Sequence, residues 1–141
     1  MYQHILIPLD QSEVAEGALV HAESLAKCMD ARLTLIAILP LDPEAISSAE
    51  AARALEARRV EFREYLGTRC ARMEEEGLKC HPSVREGDVG EEIAKYAESH
   101  DVDLILMATH GRTGLARWVY GSVVERVLTQ TKIPVLIVHA D

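Results

Sequence analysis

Four short apolar runs and one more polar run, residues 80–85, alternate along this chain with four stretches whose apolar residues recur at helical spacing. The runs predict strands at residues 5–7, 33–39, 80–85, 102–107 and 135–138, and Pro82 suggests that the third strand lies at a sheet edge. Four of the five runs contain at most one polar residue, which is typical of strands covered on both faces of a parallel sheet. The regular alternation therefore predicts an α/β fold, a three-layer sandwich in which helices cover both faces of a five-stranded parallel sheet.

Capping residues mark where three of the predicted helices begin. Ser12 precedes the first helix, and either Ser47 or Ser48 precedes a long second helix that runs to about residue 76. Asp88, with Glu91 three residues later, resembles a capping box and starts the third helix. The side-chain oxygen at such a position accepts a hydrogen bond from an otherwise unpaired backbone N–H of the first turn.

Two further segments are assigned from their polarity. Residues 108–120 contain glycines, arginines and hydroxyl residues and predict a loop, so the last helix is expected to begin at Gly121-Ser122. The mixed-charge segment that contains Arg58 and Arg59 in the second helix is expected to form a solvent-exposed outer face with ion pairs four residues apart. The inner face of that helix is expected to consist of Ala52, Leu55, Phe62, Leu66, Cys70 and Met73.

Charge and hydrophobicity exclude several classes of protein. The 141 residues carry a formal net charge of −8, whereas nucleic-acid binding needs a basic face, so no nucleic-acid partner is expected. No apolar run reaches the ~20 residues of a membrane span and no signal peptide is evident, so we expect one cytoplasmic domain, residues 1–141, with no membrane partner. Cys28, Cys70 and Cys80 are expected to be small buried or half-buried hydrophobes, because no ligand cluster surrounds them.

The loops after the first and fourth strands have the composition of a phosphate-binding site. In open α/β sheets, ligands bind at the carboxyl ends of the strands, where the strand order reverses. Glycines such as Gly111 and Gly121 let backbone N–H groups approach an anion, and a helix start at Ser122 adds unpaired N–H groups. Arg112 adds positive charge in a chain that is acidic elsewhere. We therefore expect the second loop to hold the phosphates of a nucleotide.

Each of these residues also has a simpler interpretation. The glycines can serve turns, and Ser122 can act only as an N-cap. Trp118 and Tyr120 fit lid packing or a partner contact better than base stacking. Asp10, which follows the first strand, can serve a ribose hydroxyl, a Mg²⁺ ion through water, or only the cap of the next helix. His110 lacks the nucleophile or titratable partner of a general base. Because no P-loop, dinucleotide or hydrolase motif occurs, no catalytic residue is assigned.

Three segments match the pattern of a known family. They are Ile5-Leu-Ile-Pro-Leu-Asp-Gln-Ser-Glu, Arg85-Glu-Gly-Asp-Val-Gly-Glu-Glu-Ile-Ala and Met107-Ala-Thr-His-Gly-Arg-Thr-Gly-Leu-Ala-Arg-Trp-Val-Tyr-Gly-Ser-Val. With them the chain resembles the universal stress protein family along nearly its whole length. The third segment is similar to the motif of the ATP-binding branch, which has Gly, two residues, Gly, nine residues, Gly and then Ser or Thr. In that register Ala108, Gly111, Gly121 and Ser122 take the motif positions.

The resemblance implies a fold, an assembly and a ligand. The fold is a Rossmann-like sheet in the order 3-2-1-4-5, similar to that of adenine nucleotide alpha hydrolases, and the assembly is a homodimer that pairs through the last strand, Val135–Val138. The ligand is ATP, with AMP or ADP as alternatives and Mg²⁺ as an accompanying ion, and Ile38 would offer its backbone to adenine. The residues expected to line the nucleotide site are Pro8, Asp10, Ile38, Met107, Ala108, Gly111, Arg112, Gly121, Ser122, Val123 and Val124.

The expected function is that of a nucleotide-responsive regulatory or stress-protection module with an unidentified protein client. Any ATP hydrolysis is expected to be slow, because no positioned base or transition-state arginine is evident. The alternative is a dimeric interaction protein of the same family that binds no nucleotide. Two departures from the motif motivate it, because Ala108 replaces the first glycine and Val124 lacks the hydroxyl that some members place there.

Overall fold

The computed structural model describes residues 1–41, 48–109 and 114–139, and over residues 114–120 it describes the backbone alone. Strands and helices alternate strictly along these residues. The elements are β1 (His4–Pro8), α1 (Glu13–Met29), β2 (Arg32–Leu39), α2 (Ala49–Glu75), β3 (Cys80–Glu86), α3 (Val89–Ser99), β4 (Leu104–Thr109), α4 (Gly114–Gln130) and β5 (Val135–His139).

All five strands form one parallel sheet in the order β3-β2-β1-β4-β5. β1 is the central strand and pairs with β2 on one side and with β4 on the other. The chain therefore winds first towards β3 and then, after α3, crosses to the other side of β1. The predicted α/β fold and its strand order are confirmed, and the reversal lies beside β1, where open sheets of this kind bind ligands.

Helices cover both faces of the sheet, and each face has its own apolar core. α1 and α2 pack on one face, where Ala15, Ala18, Ala22 and Ala26 of α1 are almost completely buried. α3 and α4 pack on the other face, against side chains such as that of Ile105. The alanines let α1 lie close to the sheet, because a methyl group is the smallest side chain that still buries apolar surface.

The capping residues predicted for three helices are confirmed. The hydroxyl of Ser12 accepts a hydrogen bond from the N–H of Ala15 at 3.1 Å, and Ser48 caps α2 in the same way. The carboxylate of Asp88 accepts from the N–H of Glu91 at 3.0 Å. These bonds fix the first turns of α1, α2 and α3 at the ends of the strands that precede them.

The prediction for the start of the last helix is wrong. α4 begins at Gly114 rather than at Gly121, so Ser122 lies two turns inside the helix. Backbone N–H groups that deep in a helix donate to carbonyl groups of the preceding turn and are no longer available to an anion. The unpaired N–H groups of this helix belong instead to its first turn, residues 114–117.

The edge strand β3 carries Pro82 at a position where its missing N–H costs little. The C=O of Lys79 accepts from the N–H of Leu33 at 2.8 Å, and the N–H of Gly87 donates to the C=O of Leu39 at 3.0 Å. Odd-numbered residues of β3 therefore direct their backbone groups towards β2, and Pro82 directs its own outward. The predicted edge position is confirmed, because proline is tolerated where no ladder bond is needed.

The opposite edge strand, β5, presents a complete row of backbone groups. The C=O of Pro134 accepts from the N–H of Ile105 in β4 at 2.9 Å, which sets the register of this pair. By alternation along the strand, Val135, Ile137 and His139 direct their N–H and C=O groups away from the sheet.

The three cysteines differ in exposure. The expectation that Cys28 is buried or half-buried is wrong, because it is exposed near the end of α1, whereas Cys70 is buried and Cys80 is partly buried. Across the described ranges of the chain, no helix has the length and apolarity needed to cross a membrane.

Candidate functional site

A cleft opens at the carboxyl ends of β1, β2 and β4, beside the reversal in strand order. We call it the apolar cleft, and its volume is about 250 Å³. Its described lining residues are Pro8, Leu9, Asp10, Ile36, Ile38, Pro40, Arg58, Phe62, Val89, Ile93, Met107 and Val123. Most of these side chains are hydrocarbon, with one acidic and one basic group at the rim, which is the usual character of a small-molecule site.

Five residues predicted from the sequence line the apolar cleft together. They are Pro8, Asp10, Ile38, Met107 and Val123. They come from three strand ends and from α4, and β1 in the centre of the sheet brings them to one place. Ile38 and Met107 direct their side chains to the α3–α4 face, where both belong to the same apolar core.

A second cleft of about 470 Å³, here called the polar cleft, adjoins the first. Its described lining residues are Pro40, Leu41, Gly87, Asp88, Val89, Gly90, Ser122, Val123 and Arg126, and three of these also line the apolar cleft. Ser122 is exposed on this wall. Nearby, Nε of Arg126 lies 3.5 Å from a carboxylate oxygen of Asp88. The two clefts together offer an apolar compartment next to a polar one that carries a guanidinium group.

The turn that holds Asp10 is fixed by its own hydrogen bonds. Oδ1 of Asp10 accepts from the N–H of Ser12 at 3.0 Å and from its hydroxyl at 2.5 Å. Between them, Gln11 adopts a left-handed backbone with φ of 72°. Ser12 is the cap of α1, so the interpretation of Asp10 as that cap is wrong. Asp10 instead orients the capping serine and keeps its carboxylate at the mouth of the apolar cleft.

The backbone of Ile38 faces the cleft for a reason that follows from strand pairing. The C=O of Ile36 accepts from the N–H of Leu9 at 2.8 Å, so Ile36 directs its backbone groups towards β1. Two residues later, Ile38 does the same. The pairing of β1 with β2 ends at Pro8 and Ile36. The N–H and C=O of Ile38 therefore point past the end of β1, into the region of the cleft.

An ion pair and an aromatic ring hold the start of α1 against α2. Nε of Arg69 lies 2.8 Å from a carboxylate oxygen of Glu16, and its guanidinium carbon lies 5.0 Å from the ring centre of Tyr65. The hydrogen bond from Arg69 lowers the pKa of Glu16, and burial raises the pKa of the Tyr65 hydroxyl. This contact fixes the turn containing Asp10 relative to the helix that supplies Phe62.

The other predicted site residues lie in different places. Ala108 is buried on the α1–α2 face of the sheet, opposite Met107, and Val124 is buried in the α3–α4 core. Gly121 has open space where a side chain would begin. Gly111 and Arg112 lie outside the described residues.

Sequence reasoning placed one residue of α2 that lines the apolar cleft, Arg58, on the wrong face. Arg58 was expected on a solvent-exposed face, but its guanidinium carbon lies 5.6 Å from the ring centre of Phe62. Phe62 itself is buried, as expected for the inner face of the helix. Arg59 pairs with Glu56 and with Glu86 of β3, so it too connects α2 to the sheet. The predicted inward face of Phe62, Leu66, Cys70 and Met73 is confirmed, because all four are buried. Arg58 lies one helical turn before Phe62, and that spacing is the signal that could have placed it at the cleft.

The described residues offer no ready-made cage for a metal ion. Among residues 1–41, 48–109 and 114–139, no three His, Cys, Asp or Glu side chains are grouped as a protein metal site requires. Asp10 could hold Mg²⁺ only with water and ligand oxygens completing the shell, which is the way that Mg²⁺ commonly binds beside phosphates.

Comparison with known proteins identifies the family. The sequence profile of the universal stress protein family matches residues 1–139. The chain belongs to this family. A universal stress protein of Methanocaldococcus jannaschii is 39% identical over 140 residues, which cover 98% of this chain and 82% of that protein.

Solved structures of universal stress proteins share the fold. One, of a second protein from the same archaeon, is 32% identical and superposes with a TM-score of 0.86 over 100% of this chain and 98% of its own. Another, from Archaeoglobus fulgidus, was solved in complex with dAMP. It is 19% identical, with a TM-score of 0.70 over 96% of this chain and 97% of its own.

Proposed function

We propose that this universal stress protein binds an adenine nucleotide across the two adjoining clefts, with ATP as the expected ligand and AMP or ADP as alternatives. The protein would act as a cytoplasmic, dimeric, nucleotide-responsive module for regulation or stress protection. Hydrolysis would be slow at most, because no described residue in either cleft is positioned as a general base beside a nucleophile. The observation that carries the proposal is that five sequence-predicted residues line one cleft at the strand-order reversal.

The adenine ring is assigned to the apolar cleft. Its flat, apolar faces suit a compartment lined by Ile36, Ile38 and Met107. Its edge carries one donor and one acceptor side by side, and the N–H and C=O of Ile38 offer the complementary pair. Backbone recognition of this kind needs a strand that continues past its neighbour, which is the arrangement of β2 beyond the end of β1.

The ribose and phosphates are assigned to the boundary between the clefts and to the polar cleft. The carboxylate of Asp10 would accept from a ribose hydroxyl or hold a hydrated Mg²⁺ ion. Ser122 would donate its hydroxyl to a phosphate oxygen, and Arg126 would add positive charge. Since α4 begins at Gly114, any backbone donors from its N-terminus would come from residues 114–117. Gly111 and Arg112 remain proposed phosphate neighbours.

A pair of matched glycine variants tests the phosphate assignment. A β-carbon added to Gly121 in α4 or to Gly67 in α2 would meet no atom within 4 Å, so the two positions have the same room for the first atom of a side chain. We expect Gly121→Val to weaken ATP binding by about tenfold or more, because the added methyl groups would occupy space needed by the ligand. Gly67→Val, away from both clefts, is expected to bind ATP as the wild type does.

Isothermal titration calorimetry with ATP, repeated with AMP, measures these affinities. Equal affinity of the wild type and Gly121→Val would refute the assignment of phosphates near Gly121. Equal weakening by both valine variants would also count against it, since the effect would then arise from changes in helix stability and not from the site.

The proposed dimer would form through β5. Val135, Ile137 and His139 present their backbone groups outward there, and the side chain of Leu136 is 38% exposed beside them. A second copy placed antiparallel at this edge would extend the sheet and cover that leucine. The resemblance of the sequence to the family supports the same interface, because it implies a homodimer that pairs through the last strand.

A universal stress protein that binds no nucleotide is the second candidate function. It is favoured by the position of Gly121 and Ser122 inside α4, where the backbone N–H groups belong to the helix. Gentle purification followed by denaturation and chromatography of the supernatant distinguishes the two functions. Recovery of ATP or AMP would exclude this candidate. A protein that is purified without nucleotide and gives no heat of binding with ATP or AMP in calorimetry would support it.

A further inference from the structure

Two cysteines that no proposed function uses lie against each other on the α1–α2 side of the sheet. Cys70 is near the end of α2, and Cys80 is the first residue of β3. Their sulfur atoms are 2.7 Å apart. That separation lies between the ~2.05 Å of a disulfide bond and the distance of two sulfur atoms in ordinary contact. The fold therefore holds the two thiols in direct contact.

The two thiols differ in how well solvent can reach them. Cys70 is 2% exposed, whereas Cys80 is partly exposed at the start of the edge strand. An attacking reagent will therefore meet Cys80 first, and Cys70 is placed behind it as the resolving thiol. The hydrogen bond with Cys70 and burial raise the pKa of Cys80, so its thiolate is scarce at neutral pH and exchange is slow.

We propose that Cys70 and Cys80 are a reversibly oxidisable dithiol, which forms an intramolecular disulfide with a low-molecular-weight disulfide of the glutathione class as oxidant. The thiolate of Cys80 attacks one sulfur of the oxidant, and the other sulfur leaves as a thiolate that takes up a proton. Cys70, after losing its proton, then attacks the Cys80 sulfur of the mixed disulfide and releases the second thiol. In total the protein loses two electrons and two protons, and one disulfide becomes two thiols.

This bond would join α2 directly to the edge of the sheet. Gly77, with φ of 84°, makes the turn between the two elements, so the disulfide would close a short loop around that turn. α2 also supplies Phe62 to the apolar cleft, and Leu66 lies between Phe62 and Cys70 on the same buried stripe. A clamp at Cys70 would thus restrain the helix that forms one wall of the cleft.

The test is a redox titration of the 141-residue chain carrying Cys28→Ser, because Cys28 is exposed and would form other disulfides. The protein is equilibrated in mixtures of reduced and oxidised glutathione, quenched with acid and alkylated. Peptide mapping by mass spectrometry then identifies which cysteines are linked. We expect a Cys70–Cys80 disulfide, with an effective thiol concentration at least about tenfold higher in the folded protein than in denaturant.

The comparison with denatured protein shows whether the fold itself favours the disulfide. It is needed because two cysteines close in sequence form a disulfide to some extent in any flexible chain. An equal effective concentration in folded and denatured protein would overturn the proposal. So would thiols that stay fully alkylatable in the most oxidising mixture at equilibrium, or products limited to glutathione adducts and crosslinks between copies. In the same background, Cys70→Ser should leave Cys80 as a free thiol or a glutathione adduct.

Discussion

Gly90 of α3 lies so close to Arg126 of α4 that a β-carbon on Gly90 would come within 2.5 Å of the Arg126 β-carbon. The backbone carbonyl of Val123 lies 3.2 Å from the same point. Both Gly90 and Val123 line the polar cleft, so the spacing of the two helices there also sets the width of that cleft. A residue larger than glycine would have to move α4.

Gly90→Ala is therefore expected to lower the free energy of unfolding by about 1–3 kcal/mol, because the added methyl group overpacks the contact between α3 and α4. Gly67→Ala is the matched control, since its methyl group meets no atom and alanine favours a helix by up to ~1 kcal/mol. Urea unfolding measures both. If Gly90→Ala were as stable as Gly67→Ala, the close approach of the two helices would be disproved.

Two substitutions at Asp10 separate its structural role from its proposed role in binding. Asp10→Asn keeps an oxygen that can accept from Ser12, so we expect nearly unchanged stability, whereas Asp10→Ala should lose about 1 kcal/mol. Both variants remove the negative charge, and both are expected to abolish any increase in ATP affinity on adding Mg²⁺. Calorimetry with and without Mg²⁺ provides the readout. An asparagine variant that kept the full Mg²⁺ effect would remove Asp10 from the proposed site.

His4 is expected to make stability depend on pH. Its ring is buried, with Nε2 2.7 Å from the Thr34 hydroxyl and Nδ1 3.0 Å from the C=O of His100. Burial, together with the charge of Arg32, lowers the pKa of His4 below 6.5, although Asp103 and the carbonyl acceptors act in the opposite direction. The unfolded chain therefore takes up this proton first. The contribution of His4 is complete above pH ~6.5 and declines as the pH falls towards the folded-state pKa, by at most ~1.4 kcal/mol per pH unit.

Urea unfolding of wild type and His4→Gln between about pH 5 and 8 measures this contribution. We expect the variant to be less stable at high pH and to lose less stability on acidification. His21→Gln is the control for the removal of a histidine, because His21 is exposed on α1. Parallel curves for wild type and His4→Gln would show that other groups cause the pH dependence.

Leu136→Glu tests the proposed dimer. A carboxylate at the outer strand would be buried against a second copy, so we expect the variant to sediment as a monomer where the wild type sediments as a dimer. Val60→Glu on α2 is the control, since Val60 is 42% exposed and α2 leads into β3, the strand at the opposite edge of the sheet from β5. A Leu136→Glu protein that remained dimeric would move the interface elsewhere.

Much of this fold could be predicted from local sequence because strands and caps are local features. The apolar runs gave the strands to within a few residues, and Ser12, Ser48 and Asp88 mark helix starts through hydrogen bonds to their own neighbours. The strand order came from the family resemblance, since pairing between distant strands leaves no trace in a single run of residues. Pro82 is the exception, because a missing N–H restricts it to an edge.

The start of α4 could not be predicted because some residues before Gly121 favour a loop and others favour a helix. Glycines and hydroxyl residues indicated a loop up to Tyr120, yet Leu115, Ala116 and Arg117 are strong helix formers. The position of Arg58 was missed for a different reason. Its neighbours are mostly charged, and only the packing of Phe62 against the sheet turns that part of α2 towards the cleft.

The difference between the two edges of the sheet limits how copies of this protein could associate. β3 is blunted by Pro82, whereas β5 has every backbone donor and acceptor in place. Of the two sheet edges that the structure describes, one is therefore open to strand pairing, and the other offers no place to continue a chain of such pairings. Association through β5 would therefore stop at a closed dimer and could not grow into a filament. Pro82 on the other edge strand, β3, prevents continuous strand pairing there.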